Sequence, residues 1–288
     1  MEKQNALIEE EQPIKVRPEV ITFEDVTKVV PALAKYPHLV DFVFRLLAID
    51  KVNIVHGNYC ATTGIPFSDL LATEEYKWDV RIDNFEVLER FREGPFITVS
   101  NHPFGSYDGI LLLHIVGRVR KDFKVMVNLI LNQLQAMRPS FIAVDPMKSD
   151  DPEKKKITMQ GIRAAIKHVK EGHPLGFFPA GAISKLDSRL QLRDRPWQPM
   201  IIRLIRQLEV PVIPIYFHGS NSAFFNILGM IDWRLRTLRL PRELFASYGK
   251  KIHVSIGEPI PVEEQARHES LEALGEFLRA ETYKLRKK

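Results

Sequence analysis

The amino-acid sequence predicts an α/β protein with a mostly parallel, mixed sheet flanked by helices and a helical N-terminal segment. Short apolar runs alternate with segments of three- and four-residue apolar spacing, which is the pattern of strands joined by helices. The 288 residues are 45% hydrophobic and 27% charged, enough for one large core. We therefore expect a flexible terminus at residues 1–20, a helical segment at 21–94, and an α/β domain at 95–288 that forms a single unit with it.

The N-terminal segment contains four predicted helices. Apolar spacing places them at residues 23–33, 39–49, 65–71 and 85–91, after a polar, acid-rich start at residues 1–17. Such apolar stripes are most often buried in a core, and for the second helix we favour that interpretation over one that lies on a membrane or lines an acyl slot. Its stripe consists of Leu39, Phe42, Val43, Leu46, Leu47 and Ile49.

Strands and helices alternate after residue 94. A long helix is predicted to start at residues 149–152, where Pro152 suits the first turn, and to end near Lys170, before Gly172. Alternation of this kind implies a mostly parallel sheet covered on both faces. The predicted strands are 95–99, 123–127, 141–144, 175–178, 212–217 and 251–256, and the other predicted helices are 110–116, 130–137 and 270–285.

Charge and rare residue types limit the functional classes. Residues 185–251 contain twelve basic and five acidic side chains, although the whole chain has a net charge of only +5. A basic face suits anionic lipid, an acidic carrier protein or nucleic acid, while a solvated surface is the simplest interpretation of charge alone. The single cysteine, Cys60, excludes an intrachain disulfide. We expect neither a signal peptide nor a membrane-spanning helix, because no apolar run has the required flanks or length.

Residues 100–109 form the candidate catalytic turn. They follow a predicted buried strand and precede a predicted helix, for which Asp108 stands at the N-cap position. His102 and Asp108 thus share one turn, and a His paired with a carboxylate is suited to general base catalysis. No Gly-x-Ser-x-Gly elbow accompanies them, so we expect the pair to activate a hydroxyl or amine of the substrate. The alternative is that His102 binds the backbone and Asp108 only caps the helix.

A second turn follows the predicted strand at 175–178. Pro179 and Gly181 punctuate it, and a glycine there allows a ligand to approach the backbone closely. The alternative is a plain strand-to-helix turn without functional side chains. No motif predicts a metal or a nucleotide, because His102, Asp108 and His114 lack a familiar ligand spacing and no Gly-Lys-Ser/Thr or Gly-x-Gly-x-x-Gly sequence occurs. We therefore expect no metal and no cofactor.

The first turn resembles the first motif of the glycerolipid acyltransferase family, the lysophosphatidic acid acyltransferase-like proteins. That motif is Asn-His, four residues, then Asp, whereas here five residues separate His102 from Asp108. The longer form, Asn-His-Pro-x-Gly-x-x-Asp-Gly, is similar to a bacterial branch labelled hemolysins, which includes amino-acid-lipid O-acyltransferases. We expect Pro103 and Gly105 to let the turn bulge and keep the His–Asp geometry.

The second turn resembles the third motif of the same family, Phe-Pro-Glu-Gly-Thr-Arg-Ser. Phe178, Pro179, Gly181 and Ser184 match it, but Ala180 stands at the Glu position and Ile183 at the Arg position. The family's Arg and Glu are implicated in holding a phosphorylated acceptor, and a phosphate favours a bidentate guanidinium. The departure implies an acceptor without a phosphate, such as a lyso amino-acid lipid of the ornithine or glycine type. A lysophospholipid or 1-acylglycerol-phosphate acyltransferase is the alternative.

Two weaker matches complete the resemblance. Residues 141–146 occupy the place of the second motif, where Asp145 precedes Pro146 and the expected Arg is absent; Arg138 and Lys148 are nearby substitutes. Residues 210–219 resemble the fourth motif, an apolar Val-Pro-x-x-Pro strand. At its end His218, Ser220 and Asn221 are placed to contact the acceptor, although a lone His such as His218 is more often a satisfied strand-end residue.

Residues 224–240 combine an apolar stripe with cations. The stripe consists of Phe224, Leu228, Ile231, Leu235 and Leu238, and Trp233, Arg234, Arg236 and Arg239 lie beside it. Arginine next to tryptophan on an apolar helix suits the interface of an anionic membrane. An ordinary core helix with basic flanks explains the pattern equally well.

The resemblance implies transfer of a fatty acyl group from acyl carrier protein (ACP) or coenzyme A (CoA) to the hydroxyl of a lyso-lipid. His102 is then the catalytic base, Asp108 orients it, and backbone N–H groups near Gly181 stabilise the oxyanion. We expect a peripheral enzyme at the cytoplasmic face of the inner membrane with no nucleic-acid partner. The competing classes are a lipid hydrolase and a non-enzymatic, hemolysin-like membrane protein. The predicted substrate-binding residues are Asn101, Pro103, Gly105, Phe178, Pro179, Gly181, Ser184, Lys185, Arg193 and Asn221.

Overall fold

A computed structural model describes residues 16–145, 151–187 and 190–287. The helices of these residues are α1 (Phe23–Val29), α2 (Pro37–Leu47), α3 (Ile49–Tyr59), α4 (Ile65–Leu70), α5 (Glu86–Glu89), α6 (Asp108–Val116), α7 (Pro152–Lys170), α8 (Pro199–Leu208), α9 (Ala223–Ile231), α10 (Trp233–Leu238), α11 (Leu240–Phe245), α12 (Val262–Ala266) and α13 (Leu271–Lys284). Short 3₁₀ segments cover Pro31–Lys35, Leu129–Gln133, Gln135–Ser140 and Leu285–Lys287, and a π-helical turn covers Leu71–Glu75.

The strands are β1 (Asp79–Asp83), β2 (Ile97–Ser100), β3 (Lys124–Asn128), β4 (Phe141–Val144), β5 (Leu175–Phe177), β6 (Lys185–Leu186), β7 (Leu192–Arg193), β8 (Val212–Phe217) and β9 (Lys251–Ile256). Parts of several predictions lie outside the described residues: the flexible start at 1–15, the helix start at 149–150, and Pro146, Lys148 and Arg189.

Seven strands form one sheet in the order β1-β9-β8-β2-β5-β3-β4, and β6 and β7 form a separate antiparallel hairpin. Every neighbouring pair in the large sheet is parallel except β8 and β9, which are antiparallel. The predicted fold class, a mostly parallel mixed sheet flanked by helices, is confirmed.

The centre of the sheet is covered on both faces. Every residue of β2 and of its neighbour β8 is buried, as expected for continuous apolar strands covered by helices. One apolar core includes side chains of α4 and α6, and a second includes side chains of α7, α8 and α13. Because β5, β2 and β8 are adjacent and parallel, the loops after all three strands meet at one edge of the sheet.

Several predicted boundaries coincide with the observed ones. The predicted strands 141–144, 212–217 and 251–256 are β4, β8 and β9 residue for residue. The helix α7 has Asp151 as its N-cap and Pro152 at its first position, and it ends at Lys170, two residues before Gly172 with φ +93°. These boundaries follow from local chemistry, because proline and glycine act on the backbone of their own segment.

Other predicted helices are divided. The predicted helix 23–33 ends as α1 at Val29, and a 3₁₀ segment starts at Pro31. The predicted helix 39–49 is α2, and Ala48 in the left-handed region (φ 59°) separates it from α3. The predicted helix 130–137 is two 3₁₀ segments, because Leu134 has a non-helical ψ of 75°.

No prediction covered β1, the β6–β7 hairpin, α3, α8 or α12. β1 is an edge strand of the sheet, and its residues are exposed or half-buried. Its sequence mixes charged and apolar residues, so it lacks the apolar run that marks the central strands. The hairpin strands have only two residues each, too few for a periodic signal.

The helix α2 overturns the preference for a core-facing stripe. Only Val40 of this helix is buried, whereas Leu39, Phe42 and Leu46 are each about half exposed or more. The helix is amphipathic, but its apolar face has no covering element among the described residues. Periodicity identifies an apolar face and does not say what covers it.

Residues 224–240 are not one continuous helix. Asp232 has an extended backbone (φ −152°) and caps α10, so α9 and α10 form a helical hairpin. Most of its large apolar side chains are exposed, by between 45 and 71% of their surface, which contradicts the core-helix alternative. These are Phe224, Ile227, Met230, Ile231, Trp233, Leu235 and Leu238.

No helix among the described residues combines the length and the apolar character that crossing a bilayer requires.

Candidate active site

The turn after β2 brings His102 and Asp108 together. His102 Nδ1 lies 2.6 Å from Asp108 Oδ2, although this nitrogen makes no well-aligned hydrogen bond. Asp108 is fully buried, and its carboxylate accepts the backbone N–H groups of Phe104 (3.1 Å) and Gly105 (2.7 Å). The prediction of an N-cap at Asp108 is wrong, because Tyr107 takes that place and Asp108 is the first helical residue.

The five-residue spacing is compatible with this contact because the turn curls around the carboxylate. Gly105 has φ +76°, a left-handed conformation that glycine adopts without strain. A Cβ atom added to it would lie 2.4 Å from Ile183 Cδ1, so the Ile183 side chain fills the space above the turn. The extra residue is absorbed by this bulge, in which two N–H groups point at Asp108.

The second ring nitrogen of His102 has no hydrogen-bond partner among the described residues. The ring packs against Phe178, with centroids 4.4 Å apart, and the side chain is 18% exposed. Since the Asp108 carboxylate faces Nδ1, the lone pair of Nε2 is available for a substrate proton.

Two buried asparagines hold the turn in place. Asn101 donates through Nδ2 to the carbonyl of Phe217 (2.9 Å) and accepts the Phe217 N–H (2.7 Å), which ties the end of β2 to the end of β8. Asn221 donates to the carbonyl of Phe104 (2.7 Å), and its Oδ1 is buried without a hydrogen-bond partner. Both amides thus contact the protein backbone, and their predicted role in substrate binding stays a prediction.

The turn after β5 lies beside His102. Gly181, with φ +61°, donates its N–H to the carbonyl of Phe178 (2.9 Å), so an oxyanion would need other N–H groups of this turn. The N–H groups of Ala182 and Ile183 make no hydrogen bond within the described residues. Pro179 accepts the Gln198 N–H at the start of α8.

Ser184 connects this turn to His102 and to Asp194. The sequence analysis did not identify Asp194 as a functional residue. The Ser184 N–H donates to the carbonyl of His102 (2.9 Å), and its hydroxyl donates to Asp194 Oδ1 (2.5 Å). Asp194 is 4% exposed, and burial raises the pKa of its carboxyl group. In the sequence it is only one acid between Arg193 and Arg195 in a basic stretch, so no local signal marked it.

Arg236 of α10 lies in a different environment from the one that its sequence context predicts. It was grouped with the interfacial cations, yet it is buried, and its guanidinium donates to the carbonyls of Ile183 and Ser184 (both 3.0 Å). Burial lowers the pKa of Arg236. The α9–α10 hairpin is therefore attached directly to the turn that contacts His102.

Lys185 and Arg193 lie opposite each other in the β6–β7 hairpin. Directly opposed residues of an antiparallel pair point to the same face, and both side chains are exposed. Arg193 also lies 3.4 Å from Asp187. The hairpin thus presents two exposed cations, and its first residue, Lys185, directly follows Ser184.

The weaker motif residues lie apart from this arrangement. His218 bonds to Ser255 through Nε2 (2.9 Å) and stacks on His253, which confirms the interpretation of a satisfied strand-end histidine. Burial and the neighbouring His253 lower the pKa of His218. Asp145 lies 3.7 Å from Lys154, and Arg138 donates to the carbonyl of Asn132, so neither contacts the turns around His102. Within the described ranges, no three His, Cys, Asp or Glu side chains converge on a metal position.

A small apolar cavity lies on the N-terminal side of the catalytic turn. It measures about 60 Å³ and is closed by Ser106 and Ile110 on one side and α3 and α11 on the other. This is the volume of roughly two water molecules, so an alkyl chain fits only if side chains move apart. Larger hollows of about 480 Å³ lie against α7 and between α8 and α13, and they contact neither His102 nor Asp108.

Comparison with known proteins gives a family. Residues 26–288 match the family model described as Acyltransferase. The chain is 26% identical over 255 residues to a lyso-glycine lipid O-acyltransferase of Bacteroides thetaiotaomicron, covering 86% of this chain and 89% of that protein. It is also 26% identical over 290 residues to a lyso-glycine lipid O-acyltransferase of Phocaeicola vulgatus, covering 96% and 100%.

Among solved structures, the 1-acyl-sn-glycerophosphate (LPA) acyltransferase PlsC from Thermotoga maritima is 15% identical, with a TM-score of 0.49 over 91% of this chain and 94% of that one. The family model spans both turns and nearly the whole chain. It confirms the prediction of an acyl-transferring enzyme: the chain belongs to the acyltransferase family.

Proposed function

We propose that the protein is an O-acyltransferase that moves a fatty acyl group from acyl-ACP or acyl-CoA to the hydroxyl of a lyso-lipid. The acceptor we propose is a lyso amino-acid lipid of the glycine or ornithine type, as used in membrane lipid biosynthesis. The observation that carries this choice is Ile183, an apolar side chain packed on Gly105 where the glycerolipid enzymes have an arginine. Two similar bacterial proteins are named lyso-glycine lipid O-acyltransferases.

The chemistry assigns one role to each nitrogen of His102. Its Nε2 takes the proton of the acceptor hydroxyl, whose oxygen attacks the thioester carbonyl, while Asp108 faces Nδ1 and stabilises the imidazolium. The tetrahedral oxyanion then collapses, the C–S bond breaks, and the proton passes to the leaving thiolate. The N–H groups of Ala182 and Ile183 are the candidate oxyanion donors, because they make no hydrogen bond with any described residue and belong to the turn beside His102.

The acceptor head group has a candidate site on the β6–β7 hairpin. An amino-acid lipid carries a carboxylate, and Lys185 and Arg193 offer two cations on one face. The small cavity beside Ser106 and Ile110 is the candidate position for the end of an alkyl chain, provided that the N-terminal helices separate from α6.

A peripheral contact with anionic membrane is part of the proposal, at the cytoplasmic face of the inner membrane. The C-terminal end of α2 and the α9–α10 hairpin both contact α11: Arg242 of α11 donates to the carbonyls of Leu46 and Arg45, and α10 packs against α11. Cations among apolar side chains at such a surface favour anionic head groups.

Trp233 provides a direct test of this contact. It is 53% exposed, whereas Trp78 and Trp197 are buried. Vesicles containing phosphatidylglycerol should shift the tryptophan emission of the full chain to shorter wavelength, and Trp233→Phe should abolish the shift without abolishing co-sedimentation. No sedimentation of the wild-type protein with these vesicles would refute the membrane contact.

The acceptor is tested by competition. Purified enzyme receives one acyl donor, either acyl-ACP or acyl-CoA, and equal amounts of an N-(3-hydroxyacyl)glycine and a lysophosphatidate. We expect acylation of the amino-acid lipid, and no acylation by His102→Ala. Preference for lysophosphatidate would refute the proposed acceptor, and release of free fatty acid without any acceptor would indicate a hydrolase instead.

A further inference from the structure

Asp194 is a buried carboxylate that contacts the backbone of His102. Its Oδ1 accepts the His102 N–H (3.2 Å) and the Ser184 hydroxyl (2.5 Å), and its Oδ2 lies 3.4 Å from the Trp197 indole nitrogen, which donates to it. The three donors come from three separate loops. A fully buried carboxylate is stable as an anion only when donors of this kind surround it.

The main chain of Asp194 is fixed from the opposite side. Its N–H donates to the Tyr283 hydroxyl (2.8 Å), and its carbonyl accepts a guanidinium N–H of Arg279 (2.9 Å), both from α13. The carboxylate is therefore held between the C-terminal helix and the catalytic turn, with little freedom to move.

The backbone N–H and the backbone carbonyl of His102 are consequently both hydrogen-bonded. Its N–H donates to Asp194, and its carbonyl accepts the Ser184 N–H, while Ser184 itself donates to Asp194. The three residues form a closed ring of hydrogen bonds around residue 102. Displacement of a catalytic group by about 1 Å can reduce turnover by about 100-fold, so this ring bears on catalysis.

We propose that Asp194 is a positioning residue for His102: its carboxylate fixes the His102 backbone through the shared ring with Ser184, and its negative charge favours the imidazolium formed during acyl transfer. This inference rests on the proposed function, in which His102 is the base. Nothing in the sequence resemblance pointed to Asp194, which lies in neither of the two turns.

Electrostatics agree with the geometry. Burial raises the pKa of Asp194, and the Ser184 hydroxyl, the His102 N–H and the charge on His102 lower it. A charged Asp194 carboxylate and a protonated His102 imidazolium attract each other. The other charged or titratable groups concerned are Asp108 beside the His102 ring and Arg279, Tyr216 and Tyr283 near Asp194.

The experiment replaces Asp194 by asparagine in the full chain. We expect D194N to lower kcat by about 10- to 100-fold with the KM of acceptor and donor unchanged within twofold. The acidic limb of the pH profile of kcat should move to lower pH by about 0.5 unit or more, because a negative charge close to the imidazolium is lost. The matched control, D122N, removes a partly buried carboxylate whose side-chain hydrogen-bond partners in the described part of the chain are Arg120 and His173, and it should alter none of these quantities.

A kcat within twofold of wild type, or an unmoved acidic limb of the pH profile, in folded D194N would overturn the inference. If near-ultraviolet circular dichroism shows D194N unfolded, Ser184→Ala decides the matter, since it opens the same ring by deleting one hydroxyl. S184A should lower kcat at least threefold at constant KM, while Ser68→Ala, which deletes a buried hydroxyl in α4, should not; equal kcat values would refute the role. Failure of the proposed function is distinguishable, because H102A would then retain turnover.

Discussion

Two His–Asp pairs, His102–Asp108 and His114–Asp69, show what a short contact does and does not imply. His102 Nδ1 lies 2.6 Å from Asp108, and His114 Nδ1 lies 2.7 Å from Asp69. The second nitrogen of His114 accepts from Arg118 (2.9 Å), so both of its nitrogens are occupied. That of His102 has no partner among the described residues. The free nitrogen, and not the His–Asp distance, distinguishes a candidate base from a structural pair.

The two carboxylates, Asp69 and Asp108, differ in their burial and in their hydrogen-bond partners. Asp69 is about one-third exposed and also lies 3.6 Å from Lys121. Asp108 is fully buried, and its oxygens accept two backbone N–H groups of its own turn. A partly exposed carboxylate such as Asp69 can rearrange, whereas Asp108 has its orientation fixed by the backbone. General base catalysis requires a histidine whose one nitrogen faces a fixed carboxylate and whose other nitrogen is available to the substrate.

The sharpest way to break this comparison is to remove the two histidines. H102A should lower kcat by about 10²- to 10⁴-fold, the usual contribution of a general base, and change stability little. H114A should keep kcat within about twofold and lose about 1–3 kcal/mol of stability, because Asp69 and Arg118 lose their shared partner. Acyl transfer assays and urea denaturation measure both, and equal kcat losses in the two variants would invalidate the distinction.

The carboxylates give the next largest effect. D108N should lower kcat by about 10- to 100-fold, because an amide accepts through one oxygen only and cannot balance the charge of an imidazolium. D69N should leave kcat within about twofold. The same acyl transfer assay serves both; a D108N enzyme with wild-type kcat would show that Asp108 is only a helix-start residue.

The turn itself is tested through glycine. G105A combines strain at φ +76° with a Cβ 2.4 Å from Ile183 Cδ1, so we expect about 1–3 kcal/mol of lost stability and a reduced kcat. Its control is G94A, which has a similar φ of +78° but no atom within 4 Å of the added Cβ. G94A should lose stability alone. Adding Ile183→Ala to G105A should restore part of kcat, and no restoration would exclude the clash as the cause.

A third pair, His173–Asp122, extends the comparison to pH. Burial opposes ionisation of Asp122, but hydrogen bonds from Arg120 and His173 outweigh it and lower its pKa to about 2. The folded pKa is below the unfolded value, so this stabilisation is present above about pH 4 and is lost as pH falls through about 2. D122N should cost about 1 kcal/mol at pH 7, and this cost should shrink as pH falls through about 2, where Asp122 becomes protonated in the folded state as well. Urea titrations at several pH values check this, and a constant difference would contradict it.

Local chemistry made some of the molecule predictable. β4 and β8 are apolar runs and β9 alternates polar with apolar residues, so all three are predicted residue for residue, and Pro152 and Gly172 bound α7 within their own segments. β1 carries a weaker signal, because three of its five residues are charged and none of them is buried. The exposed stripe of α2 was misjudged because helical periodicity is the same for a core and for an open surface.

The sequence by itself determined the two turns that follow β2 and β5, since the glycines, prolines and His–Asp spacing that shape them act over fewer than ten residues. Only the tertiary structure decided what holds those turns: Asp194 contacts His102 across 92 positions of sequence, and Arg236 reaches Ser184 across 52. Strand order in the sheet brings such partners together, and strand order is a property of the packed chain. In the sequence alone, a carboxylate or guanidinium that will be buried cannot be distinguished from a surface charge, because only the packing of the chain removes it from water.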